Sequence, residues 1–457
     1  MSEGARAREF RQPSHIPHAK ACSYPVRAGN FARALIDGEP AFRRICEAVD
    51  AARKSVWLTI AFLYPDFRMP DGRSLFDVLD DAAARGIDVR AIFWRTHRMD
   101  SIHFHGNPED RALLAARGSK FLARWDRAAK HYCQHQKSWL IDAGTAHETA
   151  FVGGINLDGA SVSAPGHDEA GRPHIHDVYL ELRGPSASDV HHNFVQRWNE
   201  ASERHREDGA WPDPSGQGYL VFPAAISARA GEAIVQIQRT VRAGHYTDAA
   251  PAPGAVPFAV HEGEFSVFEQ YVAAIDAARH VIYIEDQYIA SPDIVEHLHA
   301  ALVRGVDVVY LVPADPEPQV KAARKRESAK PFFEKLAALG AHEKFMLAGI
   351  AAHDDIYVHA KIALVDDCWA TIGSCNIASQ SFFCDTELNA AIWDSGFVRG
   401  LRTELLREHL GADTSAMTDR EAFALYRVIA RENAARRTRG VTMAGNAFAL
   451  DPAAYGS

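Results

Sequence analysis

His135-Gln136-Lys137-Ser138-Trp139-Leu140-Ile141-Asp142 and His359-Ala360-Lys361-Ile362-Ala363-Leu364-Val365-Asp366 are two copies of one pattern, H-x-K-x4-D, in a chain of 457 residues. Each is followed by two small residues and then an asparagine: Gly153-Gly154-Ile155-Asn156 in the first copy and Gly373-Ser374-Cys375-Asn376 in the second. A lone H-x-K occurs on any surface hairpin. Two copies with matched glycines and asparagines point to one site built from two halves, with two histidines and two lysines converging on a phosphate. Alternation through 358–365 places His359 and Lys361 on one face of a strand. Asp366-Asp367 then reads as a turn, and Ala370-Thr371-Ile372 as the strand that returns Gly373 to Asn376 beside the His-Lys pair. The first copy has the same plan with a longer turn around 144–148.

The repeat extends upstream of the motifs. Val49-Asp50-Ala51-Ala52-Arg53 reappears as Ile275-Asp276-Ala277-Ala278-Arg279, an offset of 226, and Arg85-Gly86-Ile87-Asp88-Val89 as Arg304-Gly305-Val306-Asp307-Val308, an offset of 219. The motif histidines are 224 apart. Offsets this long suit duplication of a whole unit, whereas short tandem arrays repeat every ~20–50 residues. Each unit reads as helix, buried strand, helix, strand. Phe42, Ile45 and Val49 recur at helical spacing, as do Phe268, Val272 and Ile275. Apolar runs at 56–63 and 281–284 follow as strands, then helices at 75–84 and 294–302, the latter behind the start signal Ser291-Pro292. Strands at 89–94 and 306–312 close each unit.

The expected fold is α/β, with two similar halves packed as a pseudo-twofold pair around one shared active site. Each half is a mixed β-sheet flanked by helices. The halves are placed at 28–200 and 231–411. The linker 201–230 holds Pro212, Pro214, Gly216 and Gly218, and 412–457 reads as a helical tail whose Arg436-Arg437-Thr438-Arg439 run is a solvated face.

Composition fits a globular protein, with 47% hydrophobic and 24% charged residues. The net charge of −9 argues against a broad basic face for nucleic acid. The N-terminal stretch lacks the apolar run of a signal peptide, and no uncharged apolar stretch of about 18 residues suits a spanning helix. The six cysteines form no C-x-x-C pair and read as reduced thiols. A cytoplasmic or peripheral-membrane monomer is expected, with export by another route left open.

The paired motifs make a definite chemistry possible. Lysines supply charge and asparagines directed N–H donors to the non-bridging oxygens of a phosphodiester. They also favour the charge that builds on a five-coordinate phosphorus. A neutral imidazole attacks phosphorus, and a protonated one across from it donates to the leaving alcohol. Zinc is the alternative among 23 histidines, with His131 and His135 four apart and His174 and His176 two apart. His135 sits beside a lysine that repels a cation, so no metal or other cofactor is expected to be required.

These residues give the chain a family likeness. It resembles the phospholipase D superfamily, whose signature H-x-K-x4-D-x6-G-S-x-N occurs twice. The second copy fits throughout. The first has a longer turn and Gly154 in the serine position, leaving Ser374 as the motif serine able to contribute a hydroxyl to phosphate. Ile284-Glu285-Asp286-Gln287-Tyr288, Gln236-Ile237-Gln238-Arg239-Thr240 and Phe194-Val195-Gln196-Arg197-Trp198-Asn199 resemble phrases of the phospholipase branch rather than the short, dimeric nucleases. The resemblance implies His135 as nucleophile and His359 as general acid, then base. Lys137, Lys361, Asn156 and Asn376 hold the phosphate. Asp177 and either Asp385 or Glu387 orient the imidazoles, while Asp142 and Asp366 stabilise the turns. The implied reaction is hydrolysis of a glycerophospholipid such as phosphatidylcholine to phosphatidic acid at a membrane surface. The alternatives are a phosphatidyltransferase like the cardiolipin synthases and, behind it, a nuclease. The loop at 157–175 is placed to cover a headgroup. Lys321 to Arg326, with Phe332-Phe333, is a second candidate membrane contact, against a solvated helix face.

Overall fold

Strands alternating with amphipathic helices build two sheets of the same design. The computed structural model describes residues 14–98, 101–201 and 218–457. The first sheet is made of β1 (Arg27–Ile36), β2 (Ser55–Ile60), β3 (Asp88–Trp94), β4 (Leu122–Asp126), β5 (Ser138–Ile141), β6 (Thr149–Gly153) and, after the short β7 (Ile175–His176), β8 (Val178–Arg183). Their order is β1-β8-β6-β5-β2-β3-β4. Pairing is antiparallel as far as β2 and parallel beyond it.

The second half supplies β9 (Ala233–Val241), β10 (Glu264–Phe265), β11 (Val281–Glu285), β12 (Asp307–Leu311), β13 (Phe345–Ala351), β14 (Asp355–Val358), β15 (Ile362–Val365), β16 (Trp369–Gly373), β17 (Glu387–Trp393) and β18 (Ala447–Leu450). Here the order β9-β17-β16-β15-β11-β12-β13 repeats the first sheet strand for strand, with the same directions. The sequence duplication is therefore a duplication of topology. Strand β1 joins the two sheets: Arg27 to Asn30 pair with β9, and Phe31 to Ile36 with β8. The switch falls at a register shift around Gly29, whose φ of +95° favours glycine.

Three apolar layers hold the structure together. The inner faces of both sheets share one core, where Leu140, Val152 and Leu180 of the first half join Ile362, Ile372 and Leu388 of the second. Outside the first sheet, α1 (Gly38–Asp50) and α2 (Leu75–Ala84) bury Phe42, Ile45, Val49 and Leu79 against Leu58 and Ile60. A short helix α3 (Pro108–Arg117) lies beyond them. On the inner side, α4 (Ala187–Glu200) brings Phe194 and Trp198 into the shared core. Outside the second sheet, α5 (Ser266–Ala277) and α6 (Pro292–Val303) pack Tyr271, Ile275 and Leu298 on Ile282 and Ile284. The α6 start is as the sequence reads: Ser291 caps it, accepting from the Ile294 N–H, and Pro292 occupies its first turn. Then come α7 (Pro318–Arg324), α8 (Lys330–Gly340), α9 (Ser379–Phe383), α10 (Ser395–Leu410) and α11 (Asp419–Thr438).

Two local expectations change, and the N-terminal segment takes a place of its own. Residues 359–361 do not continue a strand. The chain breaks between β14, which pairs with β7 and β13, and β15, which pairs with β11 and β16, because it crosses from one set of partners to another there. The C-terminal tail is more than helix. α11 sinks Phe423 and Tyr426 into the inner core, and β18 adds an antiparallel edge strand to β13. At the other end, 14–24 docks on the second half: Ile16 joins the outer core, its carbonyl accepts from Trp393 Nε1 at 2.9 Å, and Ala19 N donates to Gln270 Oε1 at 2.8 Å. Of the expected linker, 202–217, with Pro212, Pro214 and Gly216, lies outside the described residues.

Candidate active site

Each motif is stitched to the other half before its side chains are placed. His135 N donates to Thr386 O at 2.9 Å, and Thr386 N to Cys133 O at 3.0 Å, so the first motif runs alongside the start of β17. In mirror fashion, His359 N donates to His176 O at 2.8 Å and Tyr357 N to His174 O at 2.9 Å. This backbone exchange sets up a crosswise pairing of side chains. His135 Nδ1 meets Glu387 Oε1 and Oε2 at 2.9 and 3.0 Å. His359 Nδ1 meets Asp177 Oδ2 at 2.6 Å. Each imidazole is thus oriented by a carboxylate from the opposite half, and Nε2 is the nitrogen left for chemistry.

Both histidines line one cleft of about 1110 Å³. Asn156 and Asn376 line it too, and Asn156 Nδ2 lies 3.5 Å from His359 Nε2. Both amide oxygens are buried without a hydrogen-bond partner. Lys137 Nζ donates to His135 O at 2.9 Å, and Lys361 Nζ donates to His359 O and faces Gln287 Oε1 at 3.5 Å. The motif lysines therefore share a design, each tethered to its own histidine's carbonyl with further N–H donors to spare.

Burial dominates the electrostatics. It lowers the His135 and His359 imidazoles well below their ordinary value, helped by the neighbouring lysines. It also brings Lys137 down to about 8, with Lys361 adding like-charge repulsion. Burial pushes the Glu387 carboxyl up to about 8 and that of Asp177 up to about 7. An anionic phosphodiester entering between the lysines would reverse the downward pressure on an imidazole and favour its protonated form.

Two of the residues expected from sequence take other places. Asp385 makes its hydrogen bonds to Cys133 N at 2.7 Å and Gln380 Nε2 at 3.1–3.2 Å rather than to an imidazole. The backbone fixes this, because β17 begins at Glu387 and it is that residue which reaches across. The Ser374 hydroxyl, expected on phosphate, instead donates to Glu387 Oε2 at 2.6 Å and accepts from Leu388 N at 3.1 Å. It steadies the orienting carboxylate.

The first-motif glycine is explained by the same comparison. A Cβ on Gly154 would lie 2.5 Å from Asp177 Oδ1 and 3.0 Å from the Lys361 side chain. The halves differ as matched sets, glutamate with serine on one side and aspartate with glycine on the other. Gly154→Ser is expected to lower kcat by about a hundredfold by displacing Asp177, while the fold persists. Steady-state kinetics alongside thermal unfolding checks this.

The motif aspartates act on the scaffold. Asp142 Oδ1 accepts from the backbone N–H groups of Arg53, Lys54 and Ser55 at 2.8, 2.7 and 3.3 Å. Asp366 does the same for Arg279, His280 and Val281 at 2.7–2.8 Å. Each clamps its hairpin to the start of the neighbouring antiparallel strand, β2 or β11. The loop at 157–175 mostly turns away from the cleft. Ser163 O accepts from Glu39 N at 2.9 Å, His167 is buried, and only Asp158 and Ile175 of this loop line the cleft.

Sequence reasoning missed the middle residue of the first motif. Gln136 Nε2 donates to Glu387 O at 3.1 Å, and its Oε1 accepts from Asn193 Nδ2 at 2.8 Å. It also missed the aromatic wall of Phe62, Tyr64, Trp94, Tyr288 and Tyr357. Nothing local marks either, since both arise where distant segments meet.

A duplicated α/β unit with crosswise His-carboxylate pairs facing one cleft sets out the site, and comparison with known proteins gives its family. A family model described as cardiolipin synthase, PLD-like domain, matches residues 45–170 and 271–408, more than half of the chain, and one described as phospholipase D matches 162–304. The chain belongs to the phospholipase D superfamily. It is 26% identical to cardiolipin synthase A of Pseudomonas aeruginosa (strain LESB58) over 381 residues, covering 82% of this chain and 66% of that protein. With phospholipase D A of Dictyostelium discoideum it shares 23% over 485 residues, covering 85% of this chain and 36% of that protein. The chain thus spans less than two thirds of the length of these relatives. Among solved structures, phosphatidylserine synthase of Haemophilus influenzae Rd KW20 has the same fold, with a TM-score of 0.56 at 13% identity over 97% of this chain and all of that one.

Proposed function

We propose that the chain cleaves the headgroup phosphodiester of a glycerophospholipid and passes the phosphatidyl group, through a phosphohistidine on His135, to water or an alcohol. The observation that carries this reading is the crosswise pairing of two imidazoles, each held at Nδ1 and facing one cleft. His135 Nε2 attacks phosphorus, forming a P–N bond as the headgroup P–O bond breaks. His359 gives its Nε2 proton to the departing oxygen. It then takes a proton from water or an alcohol, whose oxygen attacks phosphorus and frees His135. Lys137, Lys361, Asn156 and Asn376 hold the non-bridging oxygens. Side chains carry every proton and charge in this scheme, so it calls for no catalytic metal.

A lipid substrate is supported by the cleft wall of Ile289, Val320, Ala323, Ala329, Phe332 and Phe333, an apolar lip suited to glycerol and acyl chains. In that role the lip would meet a membrane surface peripherally. Among the described residues no helix is long and apolar enough to cross a membrane. Both outcomes of the second step are carried forward. Hydrolysis needs only water at His359, while the relatives named cardiolipin synthase favour transfer to an alcohol. Phosphatidylcholine vesicles with ethanol should yield choline and phosphatidylethanol, and phosphatidylglycerol alone should yield cardiolipin if a lipid alcohol is the preferred acceptor. No headgroup release from either lipid, with cleavage of single-stranded DNA instead, would overturn the lipid reading.

The pH dependence of kcat/KM has a defined sign. Lys137 must be protonated to hold phosphate, and its pKa is brought down to about 8. Raising pH through 8 is therefore expected to weaken substrate capture, beyond the earlier fall as His359, whose pKa burial also lowers, loses the proton it must donate. His135 must be neutral to attack, and burial lowers its pKa, so the acid limb is expected below the ordinary imidazole range. A pH–rate profile with a soluble phosphodiester tests both limbs.

A further inference from the structure

Behind the cleft, outside the set of residues that lines it, lies a second cluster. Asp37 follows β1, His167 sits in the 157–175 loop, His176 is on β7 and Glu408 is on α10. Asp37, His167 and His176 are at most 1% exposed, and the Glu408 side chain is 6% exposed. His167 Nε2 is 3.1 Å from Glu408 Oε1 and 3.4 Å from Asp37 Oδ2. Yet neither His167 nitrogen makes a hydrogen bond, and Asp37 Oδ2 and Glu408 Oε1 lack hydrogen-bond partners as well. His176 Nδ1 closes the group, hydrogen-bonded to Asp37 Oδ1 at 2.9 Å and 3.6 Å from Glu408 Oε1.

We infer that Asp37, His167, His176 and Glu408 form a four-coordinate zinc site that ties the first half to α10 of the second. Three observations carry it. Ligands ~2.0–2.1 Å from a tetrahedral zinc lie about 3.3 Å from one another; the two imidazole nitrogens lie 3.1 and 3.6 Å from Glu408 Oε1 and 3.4 and 2.9 Å from one or other Asp37 oxygen, and one ligand atom from each of the four residues falls within 4.8 Å of the others. Two imidazoles and two carboxylates are a donor set zinc accepts. Finally, the far nitrogen of His176 is held by Glu285 Oε2 at 2.9 Å, and Glu285 Oε1 in turn accepts from the Tyr283 hydroxyl at 2.6 Å. A carboxylate behind a ligating histidine is the usual support that fixes its tautomer. In the rival arrangement of imidazolium ions among the carboxylates, His176 has both ring nitrogens hydrogen-bonded, to Asp37 and Glu285, whereas His167 has neither.

The site bears on catalysis through position. His176 O accepts from the N–H groups of His359 and Ala360 at 2.8 and 3.1 Å, and Asp177 is the next residue. A metal here would fix the strand that holds the His359–Asp177 pair without touching substrate.

The test is metal content. The full chain, expressed in zinc-supplemented medium and purified without chelator, should carry one zinc per chain by elemental mass spectrometry. Cobalt(II) in its place should show the intense visible absorption of four-coordinate nitrogen–oxygen ligation. His167→Ala and Glu408→Gln should each lose the bound metal and unfold several degrees lower. Chains free of metal after reconstitution, with an unfolding temperature that zinc does not move, would overturn the assignment, as would zinc retained in full by both variants. If the variants do not fold, the metal content and cobalt spectrum of the unaltered chain decide.

Discussion

Replacing His135 with alanine is expected to lower turnover of a phosphatidyl substrate by on the order of 10⁴-fold or more, with KM changed little. The residue is held at Nδ1 by a bidentate contact with Glu387 and has Nε2 free for phosphorus, so its loss removes the bond-forming atom itself. On the proposed mechanism the lysines and asparagines that hold phosphate remain, which keeps KM near its original value. The partner histidine should behave differently. His359→Ala lacks the proton donor for an ordinary headgroup, yet a p-nitrophenyl leaving group departs without protonation. With phosphatidyl-p-nitrophenol, His359→Ala is expected to release one equivalent of nitrophenol per chain in a burst and then stall, because no base remains to activate water. His135→Ala is expected to show no burst. Rapid-mixing absorbance distinguishes the two, and a burst in the His135 variant would refute the division of roles.

The second large effect concerns the crosswise carboxylates. Glu387→Gln is expected to cost about 10³–10⁴-fold in kcat, because an amide that donates to Nδ1 leaves the proton on Nε2 and removes the attacking lone pair. The shape of the site changes little, so KM should stay within a few-fold. Asp385→Asn is the control. Its carboxylate serves Cys133 N and Gln380 rather than an imidazole, and a loss under about tenfold is expected. Equal losses in the two variants would mean that Glu387 acts through the fold and not through the tautomer of His135.

Much of this was legible in the sequence because duplication writes the same physical constraint twice. The apolar runs that became β2 and β11, the helix stops at Arg85-Gly86 and Arg304-Gly305, and the paired H-x-K elements all carry their meaning in local pattern. So does the capped start of α6. What the sequence withheld depends on contacts between halves. Asp385 and Glu387 are two residues apart and equally suited to orient an imidazole, and only the pairing of 133–136 with 384–387 selects Glu387. Ser374 reads as a phosphate ligand by motif and proves to be a support for Glu387. The interruption at 359–361 was hidden because Val358 and Ile362 continue an apolar alternation across a change of strand partners. Asp37, His167, His176 and Glu408 come from four separated segments, and no spacing rule unites them.

The most direct measurement is identification of the covalent intermediate. The His359→Ala chain is mixed with phosphatidyl-p-nitrophenol, quenched in alkali because a P–N bond is acid-labile, digested, and read by peptide mass spectrometry. A phosphatidyl adduct on the peptide containing His135 is the result the crosswise geometry predicts. An adduct confined to another residue, or a burst of nitrophenol with no adduct at all, would contradict it.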